Sequence, residues 1–351
     1  MAGGGGTRFW PLSRQKTPKQ LINLSGNDLM VNEAVDRMAT VIDKKNIFIV
    51  TSEVQTPEMK KATVGKVLPE NILSEPAARN TAACIGYSAM TIVKKYGDGI
   101  MILTPADHYI QNVPALSNIF EKALTVAEEN DVLVTIGLKP TFPSTGFGYI
   151  RYDKSKYGNI KPVIEFREKP NEETAKSYME SGEYAWNSGM FIWKASLILE
   201  KLKTYVPDIY QDLLKIGEAM NTDDENIVLH DVYPNIRKIS IDYAVMENSA
   251  SKGEVLVIPG DFGWNDVGSW DMMDVLHTPD KNGNVFLGDV TGINVSNTVV
   301  YSSGRKVAVL DVDDLVVVET PDAVMVCKKD KAQDVKKIVD ELIEQNRTDL
   351  L

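Results

Sequence analysis

The chain has 351 residues, about 2.3 times the ~150 of a typical single domain, so one large domain or two are expected. Apolar residues at 43% and charged residues at 25% exclude a disordered tail, a fibrous repeat and a disulfide mini-protein. The balance of 38 basic and 49 acidic residues leaves −11 at pH 7 and shows no Lys/Arg run, so a nucleic-acid backbone is repelled and any anionic substrate must be met by a few local cations or a metal.

The chain opens MAGGGG, without a basic stretch leading into an apolar one, and no apolar run approaches ~18 residues. Three His and two Cys (Cys84 and Cys327) are too few for a disulfide framework and lack zinc spacing, so a soluble protein of the reducing cytoplasm is expected. Leu29, Met30, Ala34, Val35, Met38 and Ile42 recur at three and four and predict an amphipathic helix. Ile47–Thr51 reads as a strand, and Asn80 and Thr81 as caps of a helix carrying Cys84, Ile85, Ala89, Ile92 and Val93. Ile100–Leu103 is a second buried strand, followed by a helix over Ala115–Asn130 and a strand over Val132–Ile136. Apolar strands separated by helices indicate an α/β fold whose mixed, mostly parallel sheet is covered on both faces, with ligands beyond the carboxyl ends of its strands.

The pattern changes near Asn282. Residues 1–280 form the α/β unit; residues 281–351 form a second, β-rich one, dense in Val, Ile, Leu, Thr, Asp and Gly, and consistent with a small β-helix or a stack of short strands. A charged helix over Lys331–Gln345 ends the chain. Strand stacks leave edges that invite pairing, so this module is expected to form a homodimer contact; the alternative is a cap on the α/β unit.

Three segments, and two further ones, carry candidate chemistry. In Gly3-Gly4-Gly5-Gly6-Thr7-Arg8 the glycines let the backbone approach a phosphate and aim N–H groups at it, while Arg8 and Lys19 supply a planar fork and a point charge. No Lys-Ser or Lys-Thr follows the last glycine, and Phe9 stands where a dinucleotide fingerprint needs its third, so neither of those loops is present. Asp107, in Pro105-Ala106-Asp107-His108 at a strand end, offers a hard oxygen ligand suited to Mg²⁺, with capping as its alternative; His108 reads as a packing residue. Strand alternation over 165–170 places Glu165, Arg167 and Lys169 on one face and Phe166 and Glu168 on the other, with an exposed salt-bridged strand as the plain alternative. The segments around Asn187 and around Trp264–Trp270 mix aromatic, Gly and short polar residues as sugar sites do, and Asp266 is a second carboxylate able to share a metal with Asp107.

Taken in order, GGGGTRFWPLSR, TPKQ, EPAARNTAA, PADH, TGFGYI, FREKP, WNSGMFIW, IDYAVME and FGWNDVGSW resemble the mannose-1-phosphate guanylyltransferases, a branch of the sugar nucleotidyltransferases, over essentially the whole chain. The resemblance implies a Rossmann-like nucleotidyltransferase domain followed by a left-handed β-helix-type module that often dimerises. It implies the reaction of GTP with α-D-mannose 1-phosphate to give GDP-mannose and pyrophosphate. By motif, Gly3, Gly4, Gly6 and Arg8 would cradle the triphosphate and Lys19 steady it; Glu75, Asn80 and Thr81 would lie against the nucleoside. Asp107 and Asp266 would hold Mg²⁺, Lys169 would grip the sugar phosphate, and Gly148, Glu168 and Asn187 would contact mannose hydroxyls.

In that family an apolar strand precedes the glycine loop, whereas only Met1 and Ala2 do so here. The expectation is a native start several residues upstream, with the present form less stable or poorly active, because an absent central strand leaves neighbouring backbone groups unpaired. Two other functions compete: a sister enzyme using another sugar 1-phosphate or nucleotide, and a nucleotide-sugar sensor without catalysis. The presence of Arg8, Lys19, Asp107, Lys169 and Asp266 together argues against the sensor, which need not keep every charge.

Overall fold

A computed structural model describes residues 1–155 and 158–351. Ten strands build the first unit: β1 (Ile49–Ser52), β2 (Ile72–Glu75), β3 (Ile100–Leu103), β4 (Tyr109–Ile110), β5 (Leu133–Leu138), β6 (Tyr149–Tyr152), β7 (Lys161–Arg167), β8 (Tyr184–Lys194), β9 (Val255–Gly260) and β10 (Trp264–Asn265). The main sheet runs β3-β8-β5-β9-β7-β6, and β1 pairs with β2 beside it. The sheet is mixed, as expected. Among the described residues its one parallel pairing is β5–β9. The long strand β8 returns antiparallel to β3, β5 and β6, and β7 runs antiparallel to β6 and β9, so antiparallel pairings outnumber the parallel ones expected to dominate, while the separate pair β1–β2 beside it is parallel.

Successive residues of β5 and β9 point to opposite faces and seed two cores. Leu133, Val255 and Val257 pack with Ile85, Trp193, Ile198 and Leu213 under the helices Asn80–Tyr96, Ala195–Tyr205 and Pro207–Ala219. Val134, Ile136 and Ile258 pack with Val35, Leu116 and Phe120 under the helices Met30–Met38 and Val113–Glu129. Both faces are therefore covered, which is why the strands read as continuous apolar runs. The capping expectation at residues 80–81 is not met: Asn80 sits at φ +67 and its Oδ1 accepts from the next N–H, while Thr81 Oγ1 accepts from the distant Ile241 N–H. No helix among the described residues is long and apolar enough to cross a membrane.

Met1 and Ala2 occupy an unusual place. Met1 N donates to Thr104 O at 2.9 Å, Ala106 N donates to Met1 O at 3.0 Å, and Ala2 N donates to Val50 O at 2.7 Å. These two residues bridge β1 and the segment just beyond β3. Behind Met1 a cavity of about 420 Å³ continues between the two strands, lined by Ile47, Phe48, Val50, Ile100, Ile102 and Leu103 among others. Among the described pairings β1 bonds only β2 and β3 only β8 along their lengths, so each leaves an edge toward this slot.

The second unit contains β11 (Val285–Leu287), β12 (Val290–Ser296), β13 (Val299–Ser302), β14 (Val307–Asp313), β15 (Leu315–Glu319) and β16 (Val324–Lys328). β11, β13 and β15 stack in parallel, β12 stacks on β14, and β16 closes antiparallel on β15. Left-handed Asn and Asp residues form the corners, with Asn294 bonded to Asp311 and Asn297 to Asp314, each pair 17 residues apart. The expected terminal helix is split. Ala332 and Val335, three apart and both buried, set a 3-10 segment Lys329–Val335, and the α-helix proper is Lys336–Glu344.

A third core joins the two units. Phe9, Trp10, Ile22 and Leu24 from the start of the chain pack with Trp270, Met273, Val299, Val316, Val335 and Leu342. Trp10 Nε1 also donates to Leu350 O at 2.9 Å, and Arg14 pairs with Asp322 at 2.8 Å. The glycine loop is thus held from one side by the second unit.

Candidate active site

The glycine loop is ordered by what surrounds it. Gln20 Nε2 donates to Gly4 O at 3.1 Å, and Ser13 Oγ donates to Gly6 O at 2.8 Å. Gly6 has φ +60, and a Cβ there would lie 2.5 Å from Lys19 Cβ and 2.6 Å from Lys19 N, so no other residue fits without moving Lys19. The close approach seats Lys19, whose side chain is 6% exposed. Its Nζ donates to Asp107 Oδ2 at 3.2 Å and to Asp266 O at 2.5 Å.

These groups open on a cavity of about 260 Å³ lined by Gly6, Thr7, Arg8, Phe9, Lys19, Asp107, His108, Asp266, Gly268 and Lys336. Gly6, Arg8, Lys19, Asp107 and Asp266, five of the residues singled out in the sequence, meet there. Burial works against ionisation of Asp107, but the Lys19 ammonium, by its charge and its hydrogen bond, outweighs it and holds the carboxyl below its ordinary value. Burial raises Asp266, with Lys19 opposing and the Asp107 charge adding to the rise. The two loops are clamped together behind the carboxylates. β4 pairs with β10, and Trp264 Nε1 donates to His108 Nδ1 at 3.0 Å with the rings edge to face. Burial pushes His108 down to about 4, so the ring is neutral near pH 7 and its proton sits on Nε2.

A second group assembles at the other candidate residues. Asn187 N donates to Gly148 O at 2.8 Å, and a Cβ on Gly148 would lie 2.6 Å from Glu168 Oε2. Glu168 is buried and pairs with the half-exposed Lys169 at 2.8 Å. The strand alternation expected through Lys169 stops at Arg167. Lys169 has φ +45, and this turn brings Glu168 and Lys169 together instead of onto opposite faces. Arg167 and Glu165 form the exposed strand pair, at 2.7 Å. Gly189, two residues after Asn187, comes within 3.6 Å of Pro105 at its missing Cβ, which sets this group beside the Asp107 loop.

The third set is more scattered. Gly3 lies beside Glu75, whose Oε2 is 3.2 Å from the missing Cβ, and Glu75 accepts from the buried Tyr233 hydroxyl. Burial raises the Glu75 carboxyl, with that hydrogen bond opposing. Gly4 has open space at its missing Cβ, and Thr81 is tied to Ile241.

Two site residues escape a reading of the sequence. Asp242, at the head of a π-helical turn Asp242–Met246, accepts from Asn187 Nδ2 at 3.0 Å. Burial, then the Glu168 charge, pushes its carboxyl up to about 7. It lies inside IDYAVME, where a carboxylate among apolar residues is the available signal. Lys336 enters the first cavity from the second unit, and nothing local to residue 336 announces that.

Comparison with known proteins identifies the family. The nucleotidyl transferase family model matches residues 1–278, and the MannoseP isomerase/GMP-like β-helix domain matches residues 288–342. The mannose-1-phosphate guanylyltransferase of Escherichia coli (strain K12) is 38% identical over 97% of this chain and 72% of its own length. The xanthan biosynthesis protein XanB of Xanthomonas campestris is 39% identical over 99% of this chain and 73% of its own. A Thermus thermophilus structure, described as a mannose-1-phosphate geranyltransferase, superposes with a TM-score of 0.86 at 31% identity, covering 97% of both chains. With both family models matched in order along the chain and a relative of 38% identity over 97% of it, this protein belongs to the nucleotidyl transferases, in the branch of the mannose-1-phosphate guanylyltransferases.

Proposed function

We propose that the chain transfers GMP from GTP to α-D-mannose 1-phosphate, giving GDP-mannose and pyrophosphate. The observation that carries this reading is the cavity in which Arg8, Lys19, Asp107 and Asp266 face one another, with the Glu168–Lys169 turn on a neighbouring loop. An oxygen of the sugar phosphate attacks the α-phosphorus of GTP, the bond from that phosphorus to the β-phosphate oxygen breaks, and pyrophosphate leaves. The nucleophile is already ionised, so no general base is required, and the protein's task is to position two polyanions and neutralise their charge.

Arg8 and the backbone of Gly3, Gly4 and Gly6 take the triphosphate, and Lys19 orders the two aspartates against it. Lys169 leaves Glu168 for the sugar phosphate, while Gly148, Glu168 and Asn187 meet the sugar hydroxyls. Glu75, Asn80 and Thr81 border the nucleoside. The donor set of Asp107 and Asp266 consists of hard carboxylate oxygens in one polar cavity, which fits Mg²⁺ shared with substrate phosphates. Bound there, Mg²⁺ supplies charge neutralisation on the phosphates.

Pyrophosphate release tests the reading, measured with GTP, ATP, UTP and dTTP against mannose 1-phosphate and glucose 1-phosphate. Release strongest with GTP and mannose 1-phosphate is expected. Preference for another pair moves the protein to a sister activity, and binding of GDP-mannose without release in any pair makes it a sensor.

A homodimer through the second unit belongs to the same proposal, supported by Ile293 and Leu310 at 58% and 60% exposure on adjacent strands β12 and β14. Sedimentation equilibrium showing a monomer at micromolar concentration would remove it. A cytoplasmic location is supported by the two free cysteines.

A further inference from the structure

We propose that Lys336 of the second unit is a phosphate-binding residue of the active site, acting with Arg8 on the pyrophosphate end of the nucleoside triphosphate. Lys336 lines the same cavity as Arg8, Asp107 and Asp266, although it lies at the opposite end of the chain from the glycine loop.

Its position is built rather than incidental. The residue before it, Val335, is buried in the core shared with Phe9 and Trp270, as are Ala332 on one side and Leu342 on the other. Gln333 Nε2 donates to Ser269 Oγ at 2.6 Å, fixing the turn against the loop that carries Asp266. Neighbouring cations of this segment are engaged elsewhere: Lys337 with Asp334 at 2.9 Å, Lys331 with Asp330 at 3.8 Å and Lys329 with Asp274 at 3.9 Å. Lys336 makes no such pair among the described residues.

Charge decides which ligand it meets. Lys19 is committed to Asp107 and to the Asp266 carbonyl, so it largely offsets a carboxylate already in the cavity. The cations left facing open space there are Arg8 and Lys336. The cavity's charged side chains sum to three positive against two negative, too little for a triphosphate unless both remain free for it. The sugar phosphate has its own cation in Lys169, on a different loop. A long flexible side chain on a rigid turn suits the part of the substrate that must leave after transfer.

The inference rests on this cavity being the triphosphate site. Binding of inorganic pyrophosphate in the presence of Mg²⁺ is measured by calorimetry on the full chain, for wild type, Lys336→Ala, Lys336→Glu, Lys336→Arg, Lys337→Ala and Arg8→Ala. Steady-state KM values for GTP and for mannose 1-phosphate are taken beside it. Lys336→Ala is expected to weaken pyrophosphate about tenfold and to raise KM for GTP similarly, as loss of a charge-assisted hydrogen bond does. Lys336→Glu weakens both further, Lys336→Arg recovers most of the loss, and Lys337→Ala and the KM for mannose 1-phosphate stay unchanged. Loss at Arg8→Ala with wild-type affinity in Lys336→Ala and Lys336→Glu overturns the role of Lys336 while keeping the cavity. Wild-type affinity in all three overturns the cavity assignment as well. A rise confined to KM for mannose 1-phosphate also overturns the proposal.

Discussion

Asp107→Ala is expected to lower kcat by about 10²-fold or more, the scale of removing one preorganised electrostatic stabiliser. Asp107 is the group on which the site's charges converge: it takes Lys19 at 3.2 Å, faces Asp266, and sits beyond the end of β3 on the loop that His108 clamps to Trp264. Without it Lys19 keeps only the Asp266 carbonyl, and one of the two carboxylates offered to a metal is gone. The substitution also leaves the buried Lys19 ammonium without its carboxylate, so some fall in melting temperature is expected beside the loss of kcat. Lys169→Ala, on the sugar side, is expected to show a loss of similar size with a raised KM for mannose 1-phosphate. Pre-steady-state turnover with matched melting temperatures separates chemistry from stability. Near-normal kcat in both variants would discredit the roles assigned to these residues.

Adding an apolar strand of about five residues ahead of Met1 is expected to raise the melting temperature by on the order of 5–10 °C, since each kcal/mol shifts a chain of this size by a few degrees at most. Met1 pairs with Thr104, so the added residues would run alongside Ile100–Leu103, and on the other side alongside Ile47–Val50. Three gains combine. Apolar side chains fill the 420 Å³ slot, two free strand edges find partners, and the charged amino group of Met1 becomes an ordinary amide. That ammonium is buried, and burial pulls its pKa below the usual α-amino value, so its removal relieves a desolvated charge. Because Ala2 leads directly into Gly3, the loop beyond should tighten and activity should rise with stability. An extension of equal length carrying Pro and Asp in place of apolar residues serves as the control. Equal melting temperature and activity for the apolar extension and the present chain would overturn this prediction.

Much of this site is legible in the residues alone, and the parts that are not share a physical cause. The strand Ile100–Leu103 is legible to the residue because it is a short, unbroken apolar run ended by Thr104-Pro105, though only Met101 and Leu103 of it are buried, and Asp107 beyond it follows from where such strands place their ligands. Gly6, Arg8 and Lys19 are legible as a local cluster. Strand periodicity assigns Lys169 and Glu168 to opposite faces because it carries one turn too far, past the point where the backbone of Lys169 turns left-handed. Asn80 and Thr81 have the chemistry of caps, but a partner 160 residues away, Ile241, claims the Thr81 hydroxyl. Asp242 and Lys336 depend wholly on such distant contacts, which no local pattern records. The strand stack is recognisable by composition, yet its 17-residue step is hidden because only the Asn and Asp corners repeat clearly.

The third core has a consequence for how the molecule comes apart. Phe9 and Trp10 contribute to a hydrophobic cluster most of whose other members come from residues 267–342, so the first turn of the chain and its last helix melt together. The architectural boundary near residue 280 is therefore not a boundary of cooperativity. Loosening the strand stack would release the loop that holds the substrate's phosphates before it disturbs the main sheet, whose two cores are self-contained. Loss of activity on partial denaturation should thus begin at the end of the chain farthest in sequence from the glycines.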